Sequence, residues 1–86
     1  MNNIKVTRTM RGIYKVTLTD YNLEFNVEDL RNYGTVFGCD KWEAVSQDDR
    51  IDGLGTLYFE TLREVKVYLQ YFRPEQFGIR LEKKVA

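Results

Sequence analysis

The chain has 86 residues, with 13 basic and 13 acidic side chains, so its formal net charge is zero. This length supports one hydrophobic core, and we expect a single domain over residues 1–86. The charge balance argues against a disordered polyelectrolyte and removes the usual electrostatic sign of a nucleic-acid-binding domain. Because there is no histidine and Cys39 is the one cysteine, the chain cannot build a nucleophile–histidine pair, an internal disulfide or a histidine-ligated zinc site.

The first part of the chain has the alternation of apolar and polar side chains that is typical of β-strands. We expect a strand at Ile13–Thr19, preceded by an extra strand at Ile4–Thr9 and a bend at Arg11-Gly12. A polar turn at 20–22 leads into another alternating run over Leu23–Val27. The strands at Ile13–Thr19 and Leu23–Val27 are predicted to form a hairpin.

The middle of the chain carries weaker signals. A short helical turn is predicted over Val27–Asn32, because Asn26 is a good capping residue. Residues 47–53 have the composition of a turn. Strands are predicted at Thr35–Cys39 and Lys41–Ser46, which Asp40 separates and which form either two strands or one bulged strand. Another strand is predicted at Leu54–Phe59.

A helix is predicted over about 61–73. The sequence Thr61-Leu62-Arg63-Glu64 has the spacing of a capping box, and Pro74 is expected to end the helix. Apolar side chains recur at helical spacing and are expected to face the sheet: Leu62, Val65, Tyr68, Leu69 and Phe72. A last strand is predicted from Phe77 to Leu81. We therefore expect an α+β fold, a mainly antiparallel sheet of about four to six strands packed on one long helix.

The aromatic side chains are divided between the core and the surface. Large side chains are needed to fill the core of a small domain, and we assign Tyr14, Trp42 and Tyr58 to it. Val67 and Tyr71 fall outside the apolar arc of the helix, on the flank that carries Glu64. Either the sheet curls around this flank or the flank meets a partner.

The predicted turn at 47–53 is acidic, with Asp48, Asp49 and Asp52 before Gly53. A calcium-binding loop that begins at Asp48 would need an oxygen ligand at its third position and a glutamate at its twelfth. Arg50 and Phe59 occupy these positions, so we interpret the segment as a solvated turn. We expect no metal ion and no cofactor.

One stretch of the sequence resembles a pattern found in small proteins of phages and other mobile elements. In it, the strand Trp42–Val45 is followed by an acidic turn with glycine, a short strand and the helix start Thr61–Lys66. Some proteins of this kind inhibit host defence, and anti-CRISPR proteins are among them. The resemblance implies an inhibitor of a host complex and gives no catalytic residue.

From these features we expect a non-enzymatic module that binds another protein or a second copy of itself. Two surfaces are candidates for that contact, the helix flank with Glu64, Val67 and Tyr71, and the acidic turn with Asp48, Asp49 and Asp52. The alternative is a nucleic-acid-binding module that uses the basic side chains of both termini: Arg8, Arg11, Lys15, Arg80, Lys83 and Lys84.

The location of the protein is also an expectation from the sequence. No apolar run is long enough for a membrane-spanning helix, and the first residues lack the apolar stretch of a signal peptide. We therefore expect a cytoplasmic protein that does not enter a membrane.

Overall fold

The structure is a computed structural model. It describes residues 1–33 and 41–77, and within these ranges the side chains of residues 32, 33, 52, 53 and 77 are not described. The described part has an α+β fold, in which an antiparallel sheet of five strands is covered on one face by one α-helix. The predicted α+β class, with a mainly antiparallel sheet and one helix, is thus confirmed.

The five strands follow one another across the sheet in chain order. They are β1 (Ile4–Met10), β2 (Ile13–Leu18), β3 (Leu23–Asp29), β4 (Trp42–Val45) and β5 (Leu57–Phe59). The bend between β1 and β2 is at Gly12, whose φ of 75° is a conformation that glycine adopts without strain. Because neighbours in the sequence are neighbours in the sheet, β1 and β5 form its two edges.

The predicted hairpin of β2 and β3 is confirmed, and it forms the centre of the core. Val16 pairs with Phe25, and Leu18 pairs with Leu23. The side chains of all four residues are buried. Alternation along both strands places these side chains on the face that the helix covers, while the residues between them face the solvent.

The helical turn predicted at Val27–Asn32 is present, but it begins only at Leu30. β3 continues to Asp29, because residues 26–29 pair with β4, and a short 3₁₀ helix follows over Leu30–Tyr33. The ladder to β4 satisfies more backbone groups than a cap at Asn26 does. The strand predicted at Thr35–Cys39 lies outside the described residues.

The segment before β5 also differs from the prediction. A kinked 3₁₀ segment occupies Asp49–Leu54, and it places the side chain of Ile51 in the core with 2% of its surface exposed. The strand predicted at Leu54–Phe59 is therefore shortened to the three residues of β5. Tyr58, expected in the core, is 54% exposed on the open face of the sheet.

The helix, α1, runs over Leu62–Gln70 and is shorter than the predicted 61–73. Its predicted inner face is confirmed, since Val65 and Leu69 are buried against the sheet. Tyr71 has left the helical conformation, with φ −106° and ψ 9°. A 3₁₀ helix over Pro74–Phe77 follows, so Phe77 does not begin a strand, and the rest of the predicted last strand, residues 78–81, lies outside the described residues.

Side-chain hydrogen bonds close both ends of α1. At its start, Thr61 Oγ1 accepts a hydrogen bond from the Glu64 N–H at 3.1 Å, and Glu64 Oε2 accepts one from the Glu60 N–H at 3.1 Å. At its end, the Asn2 side chain donates to the carbonyls of Leu69 and Phe72 at 3.0 and 2.7 Å. These bonds satisfy backbone groups that have no partner within the helix.

The capping residue gives a first prediction about stability. Replacing Thr61 by alanine removes the hydroxyl that accepts from the Glu64 N–H, and we expect a loss of about 1 kcal/mol in the free energy of unfolding. Urea denaturation followed by circular dichroism measures it. Thr56→Ala, a change at an exposed threonine outside the helix, is the control. Equal stability of the two variants would contradict the assignment of Thr61 as the cap.

Candidate interaction surfaces

The structure answers the question that the sequence left open about the helix flank. Val67 is 46% exposed and Tyr71 is 63% exposed. The sheet therefore does not curl around this flank. Tyr71 ends the helix but still donates its backbone N–H to the Val67 carbonyl at 3.2 Å, so it lies one turn from Val67 and the two side chains form one strip that faces outward.

Two aromatic side chains extend this strip toward the sheet. The ring of Tyr68 packs edge-on against that of Phe59, with 5.3 Å between the two centroids. The centroid of the Phe72 ring lies 6.0 Å from that of Tyr68. Burial raises the pKa of the Tyr68 phenol, which favours its uncharged form. We call the surface made by Phe59, Val67, Tyr68 and Tyr71 the helix strip.

The helix strip borders two shallow hollows that share Val67 and Tyr68. One, of about 380 Å³, is also lined by Phe59, Arg63 and Glu64. The other, of about 190 Å³, is lined as well by Tyr71, Phe72, Arg73 and Gln76. Residues of the strip thus line both hollows, and an exposed arginine stands at each of them, Arg63 at one and Arg73 at the other.

Glu64 lies beside the helix strip, as the sequence predicts, but its carboxylate is used within the fold. Oε2 accepts the hydrogen bond from the Glu60 N–H that closes the start of α1. A carboxylate near a helix N-terminus is also favoured by the helix dipole. Glu64 is therefore a capping residue at the border of the strip.

The acidic turn is less acidic than its sequence indicates. The Asp48 carboxylate receives two hydrogen bonds from the Arg50 guanidinium, of 2.9 and 2.7 Å. These bonds hold the pKa of Asp48 below its ordinary value. Asp49 is exposed, and the side chain of Asp52 lies outside the described set. One of the three predicted charges is thus neutralised by a neighbour.

Arg50 also joins this segment to the β2–β3 turn. Its Nη1 donates to the Tyr21 carbonyl at 3.0 Å, and its Nη2 donates to the Asn22 carbonyl at 3.2 Å. With the Asp48 carboxylate and these two carbonyls as partners, the Arg50 side chain links the two segments and stabilises their relative position. The sequence shows the pair of Asp48 and Arg50 but not the distant carbonyls, so this function of Arg50 was missed.

Two of the basic side chains of the alternative nucleic-acid hypothesis, Arg8 and Lys15, lie on opposite faces of the sheet. Arg8 pairs with Tyr14 on the helix side of the sheet, whereas Lys15 lies on the opposite face. The Lys15 ammonium is 3.7 Å from the Glu24 carboxylate. Residues Arg80, Lys83 and Lys84 lie outside the described residues.

A cluster of Asp29, Arg31 and Trp42, where β3 ends and β4 begins, was also not predicted from the sequence. The guanidinium of Arg31 lies 5.9 Å from the ring centroid of Trp42 and pairs with Asp29 at 2.8 Å. This pairing lowers the pKa of Asp29. The Trp42 ring in turn packs 6.0 Å from Tyr14, so Arg31 covers one end of the core, which agrees with the predicted burial of Trp42.

The described part of the chain has neither a group of side chains suited to metal binding nor a helix suited to membrane crossing. Among the side chains that the structure describes, no three from acidic or cysteine residues lie together in a group that would hold a metal ion. None of the helices in this same part of the chain has the length and apolar character needed to cross a bilayer.

Comparison with known proteins adds no relative. No protein-family model matches the sequence, no curated protein matches it, and no solved structure matches the fold. A function for this chain is therefore argued from its own described residues.

Proposed function

We propose that the protein is a non-enzymatic module that binds another protein through the helix strip. The observation that carries the proposal is the exposure of Val67 and Tyr71 on an element whose inner face is buried. Helix positions on the solvent side of a small domain are ordinarily polar. Here an aliphatic and an aromatic side chain occupy them one turn apart.

The form of the helix strip supports this proposal. Tyrosine and other aromatic residues are enriched where proteins meet, because they offer a large contact area with few rotatable bonds. Tyr71 lines the same hollow as Tyr68, and the ring of Tyr68 contacts that of Phe59 in a run of packed aromatic side chains. This run is fixed by packing, so a partner would order few side chains on binding.

The charges beside the helix strip indicate the kind of partner. Arg63 and Arg73 stand at the two hollows, and the carboxylate of Glu64 is used by the helix cap. An apolar patch with acidic residues at its border fits this arrangement. A second copy would bring the same arginines to the interface, so we favour a different protein as the partner.

The experiment compares two glutamate substitutions in capture by the immobilised protein. Tyr71→Glu places a charge in the helix strip, and we expect it to abolish capture of the protein that the wild type retains from a lysate of the source cells. Tyr58→Glu changes a tyrosine of similar exposure on the opposite face of the sheet and serves as the control. Exposed substitutions change stability by about 0.5 kcal/mol or less, so both variants should melt like the wild type.

The outcomes separate the possible occupants of the strip. Loss of the captured protein with Tyr71→Glu alone supports the proposal. Equal capture by both variants would show that the helix strip is not the contact surface. A wild type that is dimeric by light scattering, with a monomeric Tyr71→Glu variant, would identify a second copy instead. The inhibitor function that the sequence resemblance implies stays a prediction until the captured protein is known.

A further inference from the structure

The outer edge of β1 is a second surface with the features of a binding site. β1 is the first strand of the sheet and has no neighbour on its other side among the described residues. Every side chain from Lys5 to Met10 is exposed. An edge of this length presents backbone groups that another extended segment can pair with.

The pairing of β1 with β2 determines which backbone groups face outward. The Thr19 N–H donates to the Asn3 carbonyl at 3.0 Å, and the same register continues to Lys5 opposite Thr17. Hydrogen-bonded and non-hydrogen-bonded pairs alternate along an antiparallel ladder. Hence Asn3, Lys5 and Thr7 direct their N–H and C=O groups toward β2, whereas Ile4, Val6 and Arg8 direct theirs outward.

The usable edge is limited to Ile4–Arg8. At its far end the register shifts between Arg8 and Met10, which indicates a β-bulge. Bulges interrupt the regular spacing of backbone groups. Ile4, Val6 and Arg8 remain as outward-facing residues, and their backbones offer three N–H donors and three C=O acceptors to an incoming strand.

The charges of this edge point to an acidic occupant. Lys5 and Arg8 are exposed on opposite faces of β1, and neither forms an ion pair with a described residue. Two copies of this edge would bring four basic side chains and no acidic one into the same pair of strands, which opposes pairing with an identical strand. A strand with carboxylates opposite Lys5 and Arg8 is attracted instead.

We propose that the Ile4–Arg8 edge binds an extended acidic segment of another protein as an additional antiparallel strand. The register sets the pattern of that segment: an acidic residue opposite Arg8, an apolar one opposite Val6 and a second acidic one opposite Lys5. The two acidic residues are three positions apart and so lie on opposite faces of the added strand. This site is separate from the helix strip and does not depend on the proposed use of that strip.

The test uses the peptide Thr-Glu-Thr-Val-Glu-Val-Thr with a fluorescent label, and measures its binding to the full chain by anisotropy. Val6→Pro removes one outward N–H without removing a bond to β2, so the fold should be kept. We expect this variant and the double variant Lys5→Glu/Arg8→Glu each to weaken binding by about tenfold or more. The double variant should instead bind a peptide in which lysines replace both glutamates.

Two controls distinguish this site from others. Lys66→Glu reverses one basic charge on α1, away from the edge, and it should bind the acidic peptide like the wild type. Tyr71→Glu should also leave the peptide affinity unchanged, whatever it does to capture at the helix strip. Peptide binding that is lost on charge reversal but unaffected by Val6→Pro would show electrostatic attraction without strand addition. If a single-stranded oligonucleotide also competes with the peptide for the wild type, the edge would be a nucleic-acid site. Either result overturns the proposal.

Amide hydrogen exchange followed by NMR provides the second measurement. In the free protein, the N–H of Val6 should exchange quickly while those of Lys5 and Thr7 are protected, and the peptide should slow exchange at Val6. Protection of Val6 in the free monomer would mean that the edge is already covered within the chain. Protection that grows with protein concentration would mean that a second copy covers it. Both results contradict the proposal.

Discussion

Replacing Phe25 by alanine is expected to lower the free energy of unfolding by about 3–5 kcal/mol. Phe25 lies on β3, the central strand, and only 1% of its surface is exposed. Its ring meets that of Phe72 edge-on, with 5.8 Å between the centroids. Removing it leaves a cavity between the sheet and the segment that follows α1, where neighbouring side chains have little room to move inward.

This loss is large compared with the stability of a small domain. Proteins of this kind are stable by about 5–15 kcal/mol, so the variant should unfold at a much lower urea concentration. Each kcal/mol lost lowers the melting temperature of a small domain by roughly 4–8 °C, so we expect a melting temperature reduced by well over ten degrees. Tyr58→Ala removes a ring of similar size from an exposed position and is the control. If the two variants were equally stable, Phe25 would not lie in the core.

The same two residues illustrate what the sequence predicts about the core. Alternation places Phe25 correctly, because its strand has a polar residue at every second position and the hairpin partner repeats the pattern. Tyr58 is misplaced because β5 has only three residues. In so short a strand, alternation does not show which of two neighbouring aromatic residues faces the helix. Phe59 does so, in contact with Tyr68.

Element boundaries were predicted well where local chemistry determines them. The start of α1 follows from its capping box, and the turn between β1 and β2 follows from Gly12. The end of β3 was missed, since its pairing with β4 depends on residues more than ten positions away. Propensity at Asn26 indicated a cap, and tertiary pairing overrode it.

The candidate surfaces show the same division. The helical wheel identified Val67 and Tyr71 as unusual, but their exposure depends on how much of the helix the sheet covers, which is a property of the assembled fold. The acidic turn was read from composition alone. Its charge is reduced because Arg50, drawn toward the carbonyls of Tyr21 and Asn22, also pairs with Asp48.

The second large effect is expected at Asn2, far from α1 in the sequence. Its backbone N–H donates to the Gln70 carbonyl at 2.6 Å, and its side chain donates to the carbonyls of Leu69 and Phe72. Asn2→Ala leaves those last two carbonyls without this donor in a partly buried place. We expect a loss of about 1–3 kcal/mol in the free energy of unfolding.

Asn3 offers a matched control for this prediction. It is the same residue type at the next position, and its side chain makes an exposed hydrogen bond of 3.4 Å to Asp20. Asn3→Ala should therefore change stability by about 0.5 kcal/mol or less. Urea denaturation of both variants provides the measurement. A loss at Asn3 equal to that at Asn2 would mean that the bonds to the helix end do not stabilise the fold.

A change of Asn2 to aspartate tests the physical cause of the effect. The carboxylate has nearly the shape of the amide, but it places an acceptor and a negative charge beside carbonyl oxygens at the negative end of the helix dipole. Asn2→Asp should therefore be less stable than Asn2→Ala at pH 7.

The same surroundings raise the pKa of the new carboxyl in the folded state, because they disfavour its charged form. As the pH falls through that raised value, the carboxyl gains a proton that it can donate to a carbonyl, and the aspartate variant should recover stability relative to the alanine variant. A difference between the two variants that does not change between pH 7 and pH 4 would show that the site is open to water, and that Asn2 does not close the end of the helix.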